Sequence, residues 1–271
     1  MEDKETSLRS DICKVAQRLA LAGFMTGSDG NLSTILNDNE ILITPSRITK
    51  GYMEEHHIVR IDRQGRQLSG DLPPTSETSM HLAAYEERPD ICSVVHCHPP
   101  MLVGFTLAGL NLPSSILPEI EVLFGGEIPL APYATPGGPD VANSIRPLIR
   151  NRSTSVVILD HHGVIGVGRD IYQASNYVEH AEAAAKMIFY ARLLGGEKPL
   201  PPDSLEKLRE VRKRILEMEK QVFTGYCQVP ECSFVSGTSS ILKNSNKDQV
   251  SIEEIDRITK VVIAEMKAKR K

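Results

Sequence analysis

No run of apolar residues in this sequence approaches the roughly 18 to 20 that a membrane-spanning helix requires, so a transmembrane role is not expected. Nor is basic charge in excess. Lys and Arg total 31 against 35 Asp and Glu, a formal net charge of −4, and nucleic acid is therefore not an expected partner. The short basic end, KAKRK, reads as a solvated tail. The opening segment, MEDKETSLRSD, lacks the basic start and apolar centre of a signal peptide, which points to a cytoplasmic protein. Cysteine is sparse, scattered and odd in number: five residues, at 13, 92, 97, 227 and 232. Cys227 and Cys232 flank QVPE, too wide a spacing for a CxxC redox pair, so a reduced chain with both residues silent is expected. The GxxxxGK phosphate loop is absent, and there is no internal repeat.

What is present is an ordinary globular composition, 41% hydrophobic and 24% charged over 271 residues, enough for one substantial core. Residues 8–22 carry Leu8, Ile12, Val15, Ala16 and Leu19 at helical spacing, with Gly23 suited to the helix end. LSTIL and EILITP around the turn NDNE predict a hairpin, and HIVRID and RQLSG around Gly65 predict another. After Pro73 and Pro74, residues 76–88 read as a helix. ICSVVHCH reads as a strand, PPMLVGFTLAG as a helix with proline in its first turn, and EIPLAPYA as a short strand. Residues 139–150 read as a helix despite Pro147. SVVILD and VIGVG pair as strands, and residues 171–194 form a long alanine-rich helix. Further helices are expected near 204–223 and 251–268, around a loop-rich stretch at 224–250. The sum is an α/β protein with helices around a largely antiparallel sheet.

Two strand ends carry the chemistry. In an extended strand residues i and i+2 share a face, so His96 and His98 point together while Cys97 points into packing. Such a pair can grip one divalent ion. Catalytic zinc sites commonly use three protein ligands and leave one position open. The second histidine-bearing strand end, VVILDHHG, offers His161 or His162 as the third nitrogen, and periodicity does not choose between them. Nitrogen ligands of this kind suit zinc, with cobalt, manganese or iron as alternatives. His56, His57, His81 and His180 are not expected to be ligands; His81 is a neighbour of the site, one turn after Glu77 on the same helical face.

The segment LPPTSETSMH places Thr75, Ser76 and Glu77 at a helix start, where free backbone N–H groups attract anions. GSDGNLS and TPSR add Asn31, Ser33, Thr44, Ser46 and Arg47 in loops, together a candidate phosphate nest. Each of these residues also has an ordinary reading as a cap or turn former, and Lys50, beside the same loop, reads as a solvated lysine.

The ordered set GNLS (30–33), ITPS (43–46), TSE (75–77), VVHCH (94–98), APYATPG (131–137) and HHG (161–163) resembles the class II aldolase/adducin family, in particular its L-fuculose-1-phosphate aldolase branch, over roughly residues 8–195. The resemblance implies a three-layer α/β/α fold with a central, mainly antiparallel sheet. It implies one divalent metal, Zn2+, held by His96, His98 and His162, with Glu77 as catalytic acid/base. It implies phosphate contacts from Asn31, Thr44, Thr75 and Ser76, to which Ser46 and Arg47 are added here, and a homotetramer with active sites near subunit interfaces. The implied catalytic domain is 1–200, with a helical extension at 201–271. The expected reaction is cleavage of a phosphorylated ketose to dihydroxyacetone phosphate and an aldehyde through a metal-stabilised enediolate. Two departures matter. Arg47 stands where many relatives have glycine, and Glu119 stands near the position of a proton-transferring tyrosine. They keep open a decarboxylase of a 3-oxo sugar acid phosphate, another lyase or epimerase, and a non-catalytic, adducin-like assembly protein.

Overall fold

The computed structural model describes residues 2–222. Its centre is an eight-stranded sheet in the order β4-β3-β2-β1-β5-β8-β7-β6. The strands are β1 Asn31–Ile35, β2 Glu40–Ile43, β3 Val59–Asp62, β4 Gln67–Ser69, β5 Ser93–Cys97, β6 Leu130–Ala131, β7 Val156–Leu159 and β8 Gly163–Gly168. Every neighbouring pair is antiparallel except β6 with β7. The two predicted hairpins are β1–β2 and β3–β4, and the SVVILD/VIGVG pair is β7–β8.

Strand alternation sends apolar side chains to both faces, and helices cover each. One core joins Leu32, Leu42, Val95, Cys97, Ile158 and Val164 to α1 (Glu2–Leu21), α3 (Pro100–Leu107), α4 (Pro118–Phe124) and α6 (Ile171–Leu193). The other joins Ile35, Ile43, Val94, Val157 and Ile165 to α2 (Thr78–Glu87) and α5 (Pro139–Ile149). This is the expected three-layer α/β/α arrangement. The last helix among the described residues, α7 (Pro202–Val222), lies against α4, with Arg212 donating to the carbonyls of Val122 and Ser153.

Two helix starts bear on the site. Met101 and Leu102, in the first turn of α3, donate their backbone N–H groups to the buried carboxylate of Glu182 on α6. A carboxylate at a helix N-terminus meets the unpaired donors and the positive end of the dipole, so α3 is anchored directly after His96, on β5, and His98, one residue beyond it. The first residue of α2 is Thr78, so Thr75, Ser76 and Glu77 form the turn that leads into the helix, one step outside the predicted start.

Several expectations need amendment. The helix α4 went unpredicted, because a seven-residue segment opening on Pro118 has too few turns for a periodic signal. Lys50 is almost wholly buried, and its Nζ donates to the carbonyls of Ser28, Ile48 and Pro45. It is a clamp between two loops and not a solvated lysine. Cys13 and Cys97 carry free thiols. Cys227, Cys232, the 224–250 stretch and the helix at 251–268 lie outside the described residues.

Candidate metal centre and active site

The sheet register assembles the site. Asn31 on β1 pairs with His96 on β5, and β5 pairs in turn with β8, whose first residue directly follows His162. Side-chain alternation puts His96 on the α2 face with Val94, and Cys97 on the opposite face, as the H-x-H spacing implies. Imidazole centroids lie 4.9 Å apart for His96–His98, 4.8 Å for His96–His162 and 5.2 Å for His98–His162. One nitrogen from each of the three lies within 4.8 Å of the others. The choice that periodicity left open between His161 and His162 is settled by the turn. His161 adopts φ 56° and is exposed, with Nδ1 hydrogen-bonded to Asp160 at 2.7 Å. His162 turns inward.

Gly163 makes this approach possible. A Cβ there would lie 2.5 Å from the Cys97 carbonyl oxygen and 2.5 Å from Cδ2 of His98, and 3.3 Å from Cε1 of His96. Any side chain at 163 would therefore occupy the space in which two candidate ligands meet.

The donor set suits a divalent metal. His96 donates from Nδ1 to the Val164 carbonyl at 2.8 Å, which turns Nε2 to the cluster, 3.1 Å from Nε2 of His98. Fixing one ring nitrogen by a hydrogen bond is how proteins select the tautomer that a ligand histidine needs. Burial, followed by the charge of His96, holds His98 down to about 3 and His162 down to about 4. Both are therefore neutral imidazoles at physiological pH, the form that binds metal. Two buried atoms at the centre, Glu77 Oε1 and His162 Nδ1, have no hydrogen-bond partner. Unpaired buried polar atoms in a native fold call for an explanation. A bound cation beside them and a substrate group would supply one.

Glu77 closes the cluster. Its Oε2 lies 3.2 Å from His96 Nε2 and its Oε1 3.4 Å from His162 Nε2. Burial opposes its charge, but the charge and hydrogen bond of His96, the hydrogen bond of Asn31 and the charge of His162 outweigh burial, holding the carboxyl well below its ordinary range. Asp29, beside Gly30, approaches His98 Nδ1 at 4.0 Å.

The model of the class II aldolase and adducin N-terminal domain matches residues 10–189 of this chain. The chain belongs to the class II aldolase/adducin family. Among its relatives, the 3-oxo-tetronate 4-phosphate decarboxylase of Escherichia coli strain K12 is 31% identical over 211 residues, covering 77% of this chain and 96% of the relative. The L-fuculose phosphate aldolase of the same strain is 33% identical over 204 residues, covering 75% and 90%. A solved L-fuculose 1-phosphate aldolase structure superposes with a TM-score of 0.68 at 29% identity, over 76% of this chain and 96% of that one.

Within this family fold the predicted anion positions fall together. Thr75 N–H donates to the Thr44 carbonyl, Pro45 bridges Pro74, and Ser46 donates through its hydroxyl to the Pro74 carbonyl. Thr44 Oγ1 accepts from Leu32 N–H and Thr75 Oγ1 from Glu77 N–H. These hydroxyls have structural duties that hold the turn in shape. Ser76 and Arg47 are exposed, and Arg47 takes φ 63°, a left-handed conformation uncommon for a residue with a Cβ. Two predicted placements change. Asn31 and Ser33 belong to β1 and not to a loop, and Ser33 is buried against His81 and Tyr85. Glu119 is exposed on the first turn of α4 and makes no hydrogen bond or ion pair with the three histidines. Tyr133 is also exposed, with its ring 6.3 Å from that of His161.

Proposed function

We propose that this protein is a divalent-metal-dependent decarboxylase of a phosphorylated 3-oxo sugar acid, with Zn2+ held by His96, His98 and His162. The observation that carries the reading is its similarity to 3-oxo-tetronate 4-phosphate decarboxylases over 96% of their length, at 31% and 33% identity. Two residues of this chain support it. Arg47 offers a cation beside the anion turn for a substrate carboxylate, and position 119 carries glutamate where the aldolase resemblance implies tyrosine. The convergence of three imidazoles, two of them beside Glu77, speaks against a purely adducin-like assembly role.

A divalent cation at the histidines would act as a Lewis acid on the substrate oxo group. The reaction breaks the bond between the carboxylate carbon and C2. The electron pair passes toward the neighbouring oxo group, CO2 leaves, and C2 receives a proton. Glu77 is the group placed to move that proton. The turn built from Thr44, Ser46, Thr75 and Ser76, with Asn31, would hold the phosphate and so fix the reacting carbon. The catalytic unit is residues 1–200, with 201–271 as an extension, and the functional form is a homotetramer with active sites near subunit interfaces.

Aldol cleavage of a phosphorylated ketose is the second reading, supported by the L-fuculose phosphate aldolase relative and the superposition. Purified, zinc-loaded protein supplied with 3-oxo-tetronate 4-phosphate and, separately, with L-fuculose 1-phosphate decides between them. Release of CO2 from the first, with no aldehyde from the second, is expected. Aldehyde and dihydroxyacetone phosphate from the second, with no CO2 from the first, would reverse the assignment.

A further inference from the structure

Behind Glu77 lies a chain of buried polar groups that the proposed reaction does not use directly. Glu77, His81 and Tyr85 are spaced four residues apart, so they form one stripe leading into and along α2. Asn31 and Ser33 are two apart on β1 and share a face of that strand. The two stripes interlock. Asn31 Nδ2 lies 2.8 Å from Glu77 Oε2, and Asn31 Oδ1 lies 2.5 Å from His81 Nε2. His81 Nδ1 lies 2.7 Å from Ser33 Oγ, which lies 2.8 Å from Tyr85 Oη. His81 is fully buried, and Asn31, Ser33 and Tyr85 are buried with it.

The proton positions in this chain follow from its end. An ionised carboxylate only accepts, so the Asn31 atom facing Glu77 must be the amide nitrogen. Its oxygen then faces His81, so Nε2 of His81 must carry a proton. Burial and the charge of His96 push this imidazole down to about 3, against the opposing pull of Glu77, so Nδ1 is bare and accepts from Ser33. With its hydrogen committed to His81, Ser33 accepts from Tyr85. Burial raises the Tyr85 phenol, which keeps its proton available to donate. Every donor in the chain points towards Glu77.

We propose that His81 is a positioning residue: as its Nε2–H tautomer it locks the Asn31 amide with nitrogen towards Glu77, fixing Oε2 of that carboxylate between Asn31 and His96 and leaving Oε1 beside His162. This inference rests on the proton-transfer role proposed for Glu77. Without the His81 proton the Asn31 amide oxygen loses this donor, and the Glu77 carboxylate alone would hold the amide in this orientation. A flipped amide would set oxygen against carboxylate and drive Glu77 from its place.

Two measurements test it. Neutron diffraction from crystals of the full-length, zinc-loaded protein is expected to show deuterium on His81 Nε2 and none on Nδ1, with the Asn31 amide nitrogen towards Glu77. Deuterium on Nδ1 instead, or a reversed Asn31 amide, overturns the inference. This arm needs no substrate and stands whichever reaction the enzyme performs. The second arm compares His81→Gln, whose amide nitrogen can occupy the place of Nε2, with His81→Asn, whose shorter amide cannot reach it. His81→Asn is expected to lower kcat roughly 100-fold, the scale of a misplaced reacting group, with a smaller change in KM and unchanged zinc content. His81→Gln is expected to regain most of that loss. Equal kcat in the two variants and wild type, or equal loss in both with folding and zinc retained, overturns it.

Discussion

Glu77 has one oxygen held by Asn31 and the other buried without a hydrogen bond. That asymmetry separates holding from reacting within a single side chain. Replacing it with glutamine keeps the acceptor for Asn31 and the volume, but removes the group that can take and return a proton. Glu77→Gln is expected to retain its fold and zinc content, read by thermal melting and metal analysis. Turnover is expected to fall by about 10²- to 10⁴-fold, the usual range for a general acid or base. Normal turnover would remove Glu77 from the proposed reaction. His81 gives a prediction of a different kind, about stability and pH. Its imidazole is held near 3 in the fold against about 6.5 when unfolded. Between those values the unfolded chain binds the proton and the native chain does not, so stability falls as pH drops through that window. The loss is at most about 1.4 kcal/mol per pH unit from this group. In the metal-free protein, His81→Gln is expected to show a shallower decline in melting temperature between roughly pH 6.5 and 4 than wild type. Parallel declines would mean that His81 does not titrate on unfolding.

At the scale of elements, the site is a meeting of β5 with the β7–β8 turn, and Gly163 sets how closely they meet. Gly163→Ala would press its methyl against the Cys97 carbonyl and the His98 ring. The expected outcome is a stability loss on the order of 1–3 kcal/mol, as for other overpacked sites, with weakened zinc binding. Calorimetry and metal titration would check both, and wild-type zinc affinity would show that the turn can retreat without parting the ligands. The same junction explains what was legible in the sequence. His96 and His98 could be paired because a strand repeats every two residues, and that rule holds wherever the strand lies. The third ligand could not be chosen by periodicity, because His161 and His162 lie in a turn where backbone dihedrals decide direction. His161 takes the left-handed conformation and points out. The family resemblance named His162, and the geometry agrees. Glu77 and His81 were visible as neighbours on one helical face. Their link through Asn31 and Ser33 was not, since it depends on which strand lies beneath α2. Lys50 was misread for a similar reason: a lysine in a turn-rich segment is ordinarily solvated, and only the tertiary approach of residues 28, 45 and 48 supplies the carbonyls that bury it.

At the scale of the molecule, metal binding and folding are coupled. The three histidines come from two strand ends that are separated by more than sixty residues in sequence and brought together only by the sheet. The unfolded chain has no such arrangement, so a cation that binds the three imidazoles favours the native state by mass action. At free metal about 100 times the dissociation constant the gain is about 2.7 kcal/mol, or roughly 5–10 °C in melting temperature for a domain of this size. Chelation followed by zinc readdition is therefore expected to lower and then restore the melting temperature. His98→Ala, which removes one ligand at the more accessible end of the cluster, is expected to melt at the same temperature with and without zinc. If chelation removes no metal from wild type and zinc addition shifts no melting curve, the histidines do not form a metal centre. The fold would then be serving as a binding or assembly module, as the adducin side of the family allows.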